Sequence, residues 1–258
     1  MVCLNDPDTC EPLAFMSGNL ISAMRTGAVP GVGAKYLARR NSKSVALIGG
    51  GPINKACLLA ICESVPSLEE IVIPEKAEAF LKEMGERLGK KTRVAKSEAD
   101  ALSDADIISI AAAGSKAVSL KNEWLKPGSL LTLTGKAELE GAYLQECRIV
   151  ADNWKMHQAY MQDARELPDG VEAGYKNFIS GDILRALDEG KMDEKSIANL
   201  GEIAIGKVQG RQSEDERILF VTSGMPVEDV GWGFELYTRA KKMGLGQMLK
   251  IWDSAHWM

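Results

Sequence analysis

The stretch from Ser42 to Cys62, SKSVALIGGGPINKACLLAIC, constrains this chain more than any other. A short apolar run, Val45 to Ile48, meets three glycines and passes into a segment whose apolar residues Ile53, Cys57, Leu58 and Ile61 recur at helical spacing. The pattern is strand, tight turn, helix. Gly49 and Gly51 take the first two positions of a GxGxxG-type turn, where a backbone without Cβ atoms can bend sharply and approach a pyrophosphate. Pro52, Ile53 and Asn54 open the following helix, whose N-terminus favours an anion. Asn54 holds the third glycine position, where close packing of helix on strand favours Gly or Ala. Glycine-rich turns of this kind also occur in α/β sheets that bind no cofactor, so the turn by itself leaves both readings open.

A chain of 258 residues, 45% of them hydrophobic, can build one large or two modest domains around a substantial core. Its formal net charge of −5, with Lys and Arg scattered, gives no basic footprint for nucleic acid or an anionic membrane. The five cysteines, Cys3, Cys10, Cys57, Cys62 and Cys147, form no CxxC pair, and the chain has two histidines. This composition reads as reduced thiols with no metal site. The opening MVCLNDPDTCEP is polar and unlike a secretory signal, and no window of about eighteen apolar residues occurs, so a cytoplasmic protein is expected.

In chain order, Val2–Leu4 and Leu13–Met16 read as a two-stranded hairpin. A hairpin has little stability of its own, so the chain is expected to begin inside a sheet whose other strands it lacks. Asn19 to Arg40 reads as a helix with small residues Ala23, Gly27, Gly31 and Ala34 along one side, and Pro30 predicts a kink or a break. Arg25 lies in that small-residue surround, either as a bidentate clamp for a carboxylate or as a surface arginine paired with a nearby acid. Beyond the glycine turn, strands are expected at Ile71–Ile73, Thr92–Ala95, Asp106–Ala113, Leu130–Leu133, Arg148–Ala151 and Arg217–Thr222. Helices alternate with them at Pro74–Leu88, from the cap Ser97, at Leu139–Gln145, Trp154–Ala164, Phe178–Glu189 and Glu194–Ile205. A last long helix runs from Val227 to Met243, carrying Trp232, Phe234 and Tyr237 as core or interface residues.

Such alternation means an α/β fold, a Rossmann-type doubly wound parallel sheet. Ligands belong at strand C-terminal ends: Gly49 to Asn54, Ala112 and Ala113 onward to Ser115, Thr132 to Lys136, and Asp152 onward. Glu75 is the nearby acidic candidate for a ribose diol, or a first-turn helix residue favoured by the macrodipole, so NAD and NADP both stay open. His256 reads as a surface residue.

Four segments, SGNLISAMRTGAVPGVGAKYLAR, VALIGGGPINKACLLAI, NEWLKPGSLL and FVTSGMPVEDVGWGFELYTRAKKMGLG, resemble in that order the ornithine cyclodeaminase and μ-crystallin family. The GPIN turn and GMPVEDV segment look closest to branches other than the true cyclodeaminases, including imine reductases and amino-acid dehydrogenases related to siderophore diaminopropionate synthesis. The resemblance implies a nicotinamide cofactor, NAD or NADP, on the glycine turn and an amino acid gripped by its carboxylate at Arg25. It places Ser223 of the late SxG segment close to the nicotinamide, although the same serine also reads as the cap of the long helix. Two departures stand out. Family members carry a further N-terminal portion that builds most of the substrate-binding and dimerisation domain, and this chain begins in what resembles a late strand of it. The resemblance therefore implies a partial second domain, with 1–40 as its remnant, 41–222 as the dinucleotide-binding domain, and 223–258 as a helix returning to the second domain. True cyclodeaminases place a catalytic aspartate where TLTGKAEL has Thr132, and a threonine cannot supply that carboxylate.

The expected function is therefore an NAD(P)-dependent oxidoreductase of amino-acid metabolism, passing hydride to or from an amino or imino acid. The alternatives are a catalytically silent NAD(P)H-binding module like μ-crystallin, as a truncated paralogue, and an ornithine cyclodeaminase. The implied partners are a small amino-acid or imino-acid substrate and a second copy of the chain as a homodimer, with no nucleic acid and no membrane.

Overall fold

The computed structural model describes residues 1–74, 78–112 and 118–250, with only the backbone of Glu78. Glu75, Ala113, Ser115 and His256 lie outside the described residues. From the N-terminus the chain forms β1 (Val2–Asn5), β2 (Pro12–Met16) and α1 (Gly18–Leu37), then β3 (Ser44–Ile48), α2 (Pro52–Ser64) and β4 (Glu70–Pro74). The alternation continues through α3 (Glu78–Leu88), β5 (Lys91–Ala95), α4 (Glu98–Leu102), β6 (Ile107–Ile110), β7 (Val118–Leu120), β8 (Leu130–Leu133) and β9 (Ala137–Leu139). It closes with α5 (Gly141–Glu146), β10 (Arg148–Ala151), α6 (Trp154–Glu166), α7 (Val171–Asn177), α8 (Gly181–Asp188), β11 (Ala198–Asn199), α9 (Leu200–Ala204), β12 (Ile218–Val221) and α10 (Pro226–Lys242).

Eight strands make one parallel sheet in the order β11-β10-β12-β8-β6-β3-β4-β5. The expected doubly wound sheet is thus present. Its inner strands are buried and mostly apolar because helices cover both faces. Successive residues serve opposite faces: Ile218 and Phe220 join the cluster under α1, α2, α3 and α9, whereas Leu219 and Val221 join the one under α4 to α8. The strand order reverses direction between β3 and β6, so the crevice for a ligand opens where these two strands end.

The chain divides by packing into Ala23–Gly224, which holds the sheet, and a second unit of Met1–Ser22 with the segment from Met225. From Ala23 onward α1 belongs to the sheet unit, into which it beds through its small residues. A Cβ built on Gly27 would lie 2.4 Å from the Ala56 carbonyl carbon, and one on Gly31 would lie 2.5 Å from the Ala60 Cβ. Ala34 and Leu37 continue the same face into the core. Pro30 does not break the helix in two; α1 runs continuously from Gly18 to Leu37.

In the second unit β1 and β2 form the expected antiparallel hairpin, with Val2 opposite Met16 and Leu4 opposite Ala14. Gly233 of α10 sits against the side chains of Val2, Leu4 and Met16. Phe15, Val227, Val230 and Phe234 are exposed. Among the described residues no helix is long and apolar enough to cross a membrane.

Other elements depart from the sequence reading for identifiable reasons. Ser97 caps α4 as expected, its hydroxyl accepting from Asp100 N at 3.1 Å. The helix expected over Glu194–Ile205 is instead a 3-10 turn at Glu194–Ser196, strand β11 and short α9. Pairing of Ala198 and Asn199 with Val150 and Ala151 overrides the local helical pattern. The parallel pair β7 and β9 was not anticipated. All five cysteines are free, and burial pushes the thiols of Cys57 and Cys62 up to about 11 and that of Cys147 up to about 12.

At the N-terminal edge of the sheet, Asp106 gathers chain segments that are distant in sequence. Its carboxylate accepts from Lys43 N at 2.5 Å and Ser44 N at 3.2 Å, pairs with Lys126 Nζ at 2.8 Å, and takes a hydrogen bond from Arg39. Burial alone would raise its pKa. The bonds from Lys126, Lys43 N and Arg39 outweigh that and hold it below the usual carboxylate range.

Two outcomes are expected. Gly27→Ala adds a Cβ where rigid backbone already lies, and it lowers stability by about 1–3 kcal/mol in urea unfolding despite the better helix propensity of Ala. Asp106→Asn costs about 1–3 kcal/mol near neutral pH. Because the folded carboxyl titrates below its unfolded value of about 3.9, the wild-type advantage is full above that value and disappears as pH falls through the lower folded one. Urea midpoints of both proteins measured across the acid range check this, and a gap that persists undiminished in acid contradicts it.

Candidate cofactor and substrate site

The glycine turn follows β3 directly. Gly49 has φ +104°, and a Cβ there would lie 2.9 Å from both the Ala111 carbonyl oxygen and the Ala112 Cα. Only glycine fits that conformation and that approach. Gly51 is extended, caps α2, and would find nothing within 4 Å of an added Cβ. Its outer side is therefore open ground at a helix N-terminus. Pro52 occupies the first turn of α2, where its missing N–H costs nothing, and the amides of that turn point outward without acceptors from the helix.

Asn54 turns the expected weakness of the motif into a fastening. Its side chain is fully buried, and Nδ2 donates to Ile48 O at 3.0 Å, Gly49 O at 2.7 Å and Ser109 O at 3.3 Å. Its Oδ1 accepts from Ser109 Oγ at 2.7 Å. One carboxamide thus joins the end of β3, the turn and β6. A ligand here meets the backbone around Asn54, while the side chain is engaged inside.

The end of β8 closes on the same place. A Cβ on Gly135 would lie 2.9 Å from Ala112 N, so this turn presses against the end of β6. Thr132 does not share in that edge through its side chain. It is fully buried between Ser109 and Phe220 in the sheet register, and its hydroxyl donates to Ile108 O at 3.2 Å.

Arg25, Ser223 and Gly224 come together in the sheet unit. Gly224 has φ +74°, and a Cβ there would lie 2.5 Å from Arg25 Nη1, so the half-buried guanidinium rests against this turn. Ser223 does not cap α10. Met225 is the cap residue, and its amide donates to Glu228 Oε2 at 3.4 Å. Ser223 instead turns to Asp152, whose Oδ2 accepts from Ser223 N at 2.7 Å and Gly224 N at 3.3 Å. The Ser223 hydroxyl stands 3.3 Å from both carboxylate oxygens.

Asp152 and His157 escaped the sequence reading as side chains, although the strand end at Asp152 was marked. Oδ1 accepts from Asn153 N at 2.7 Å and lies 3.3 Å from His157 Nε2, while His157 Nδ1 is 2.8 Å from Ser180 Oγ. His157 thus stands between Asp152 and Ser180, with Nε2 toward the carboxylate and Nδ1 toward the hydroxyl. Burial works to raise the Asp152 pKa. The bonds from His157, Ser223 N and Asn153 N prevail and hold it below the usual range. The available signal was an Asp closing a buried strand, with a His five residues later on the inner face of a helix.

The geometry can now be set beside known proteins. A Delta(1)-pyrroline-2-carboxylate reductase of Bacillus cereus is 30% identical over 256 residues, covering 97% of this chain and 74% of the reductase. The solved Delta(1)-pyrroline-2-carboxylate reductase of Thermococcus litoralis, in complex with NADH and L-proline, matches with a TM-score of 0.78 and 32% identity over 96% of this chain and 73% of its own. An archaeal alanine dehydrogenase dimer with bound NAD matches with a TM-score of 0.77 and 25% identity over 97% of this chain and 73% of its own. The family description "Ornithine cyclodeaminase/mu-crystallin family" matches residues 1–244. The chain is therefore a member of the ornithine cyclodeaminase/mu-crystallin family.

Proposed function

We propose that this chain is an NAD(P)H-dependent oxidoreductase that reduces a cyclic imino acid of the Δ1-pyrroline-2-carboxylate kind, and runs the reverse oxidation on the corresponding amino acid. The observation that carries this reading is the seat of Arg25 against Gly224, just past the C-terminal end of β12. In a parallel sheet that is the same edge on which the glycine turn leaves β3. A guanidinium at that edge matches a substrate carboxylate with two parallel hydrogen bonds and so fixes the orientation of the adjoining Cα=N carbon.

The residues present fit a dinucleotide. Gly51 leaves an open cradle at the N-terminus of α2, Gly49 permits close approach, and Ala112 and Gly135 border the crevice. The first-turn amides of Ile53 and Asn54, with Pro52 holding the turn open beside them, would face the pyrophosphate, Ser223 would border the nicotinamide, and Glu75 remains the proposed ribose partner. When bound, the reduced nicotinamide supplies the hydride. The chain's part is to hold the two reactants in register and to exclude water between them.

Thr132 supports reduction over cyclodeamination. Its hydroxyl is taken by Ile108 O inside the sheet, and it offers no carboxylate for proton transfer. The archaeal alanine dehydrogenase solved as a dimer, together with exposed Phe15, Val230 and Phe234 here, supports a homo-oligomer.

Two measurements test the reading. Quenching of tryptophan fluorescence by NADH and NADPH, followed by steady-state reduction of Δ1-pyrroline-2-carboxylate, is expected to show saturable binding and turnover in the wild type. Arg25→Ala is expected to raise KM for the imino acid by about a hundredfold with cofactor affinity within about twofold, and Arg25→Lys to recover part of the loss. An unchanged KM in Arg25→Ala sinks the clamp. Asn54→Ala loosens the turn instead, and is expected to weaken NADH binding by about tenfold while leaving KM for the imino acid within about threefold.

A further inference from the structure

Asp152 is placed to do more than end a strand. Backbone amides of Asn153, Ser223 and Gly224, the Ser223 hydroxyl and the His157 ring converge on its two oxygens. Asparagine could not replace it without turning an NH2 group toward donors. The carboxylate spans two chain segments that pair as β10 and β12, with Ala151 opposite Val221, so it holds the exit of one strand against the exit of the other. Its own orientation is fixed from behind: His157 is fully buried and is backed by Ser180, which is 1% exposed. On the far side of the turn stands Arg25. Gly224 is in a left-handed conformation and lies against Nη1, so a shift of the turn changes the surface on which the guanidinium rests.

We propose that Asp152 is a positioning residue for the substrate carboxylate: it fixes the Ser223–Gly224 turn and, through that turn, Arg25, with His157 and Ser180 locking the carboxylate in place. The proposal rests on the reading of Arg25 as the carboxylate clamp. It predicts that loss of Asp152 is felt on the substrate side of the site, where Arg25 acts, and much less in cofactor affinity, because of the groups proposed to hold the dinucleotide only Ser223 depends on Asp152, while the glycine turn is held independently by Asn54.

The test uses Asp152→Asn, with L-proline as a carboxylate probe added to NADH-saturated protein in calorimetric titrations, and amide hydrogen exchange read alongside. Expected are a weakening of L-proline binding by about tenfold, NADH affinity within about twofold, and exchange at Ser223 and Gly224 faster by about tenfold while the amides of β12 keep their protection. Ser180→Ala leaves Asp152 in place and is expected to weaken L-proline in the same direction by about threefold; it carries the test if Asp152→Asn does not fold. L-proline affinity unchanged in Asp152→Asn, or L-proline and NADH affinities falling together, overturns the proposal. A wild type that fails to bind L-proline defeats the clamp reading by itself. The exchange measurement then decides for Asp152, with faster exchange confined to the turn supporting it and unchanged exchange overturning it.

Discussion

Backbone contact between α1 and α2 is the constraint on which the site depends. Gly27 and Gly31 let α1 come so close to Ala56 and Ala60 that a Cβ at either glycine would overlap α2. Contact of this kind leaves little freedom of rotation or sliding, because no flexible side chain lies between the two helices. Arg25 is two residues before Gly27, and α2 begins at the glycine turn. The same contact therefore sets both the height of the guanidinium along α1 and the position of the helix N-terminus proposed to face a phosphate. The proposed substrate and cofactor positions are tied through one helix pair.

Around that pair the sheet interior is largely apolar, and three of its buried polar side chains each meet several partners at once. Asn54 fastens the β3 turn to β6, Asp106 fastens three segments at the opposite edge, and Asp152 fastens the exits of β10 and β12. Each is buried and each has its partners, the condition under which a buried polar side chain specifies geometry at tolerable cost. The oxygens and nitrogens involved are at strand ends, where the ladder stops and backbone groups need partners from elsewhere.

Much of this was legible in the sequence because it is local. Apolar runs of four or five residues alternating with helical spacing gave every long strand of the sheet, and Leu130–Leu133 and Arg148–Ala151 fall where expected. The small-residue face of α1 was visible too, but not which surface it would meet; that is a long-range fact. Pro30 misleads for a related reason. A proline in mid-helix usually signals a break, yet α1 continues through it while packed on the sheet unit. Asn54 read as a flaw in a glycine motif because its four hydrogen bonds reach residues up to 55 positions away. Ser223 read as a helix cap because serine before a helix commonly is one, and its actual partner, Asp152, is 71 positions distant.

That distance bears on how the molecule is made. The last strand in the sequence, β12, is not an edge strand; it lies between β8 and β10 and bonds to both. Residues up to β10 can pair and bury their helices while the chain is still being synthesised, but a slot remains in the sheet until Ile218–Val221 arrive to fill it. Only then do Ser223 and Gly224 reach Asp152. The polar side of the proposed site is thus completed at the latest step of folding, by contacts that reach back from Ser223 to Asp152 and from Gly224 as far as Arg25, and nascent chains shorter than about residue 224 carry the glycine turn without the turn that seats Arg25.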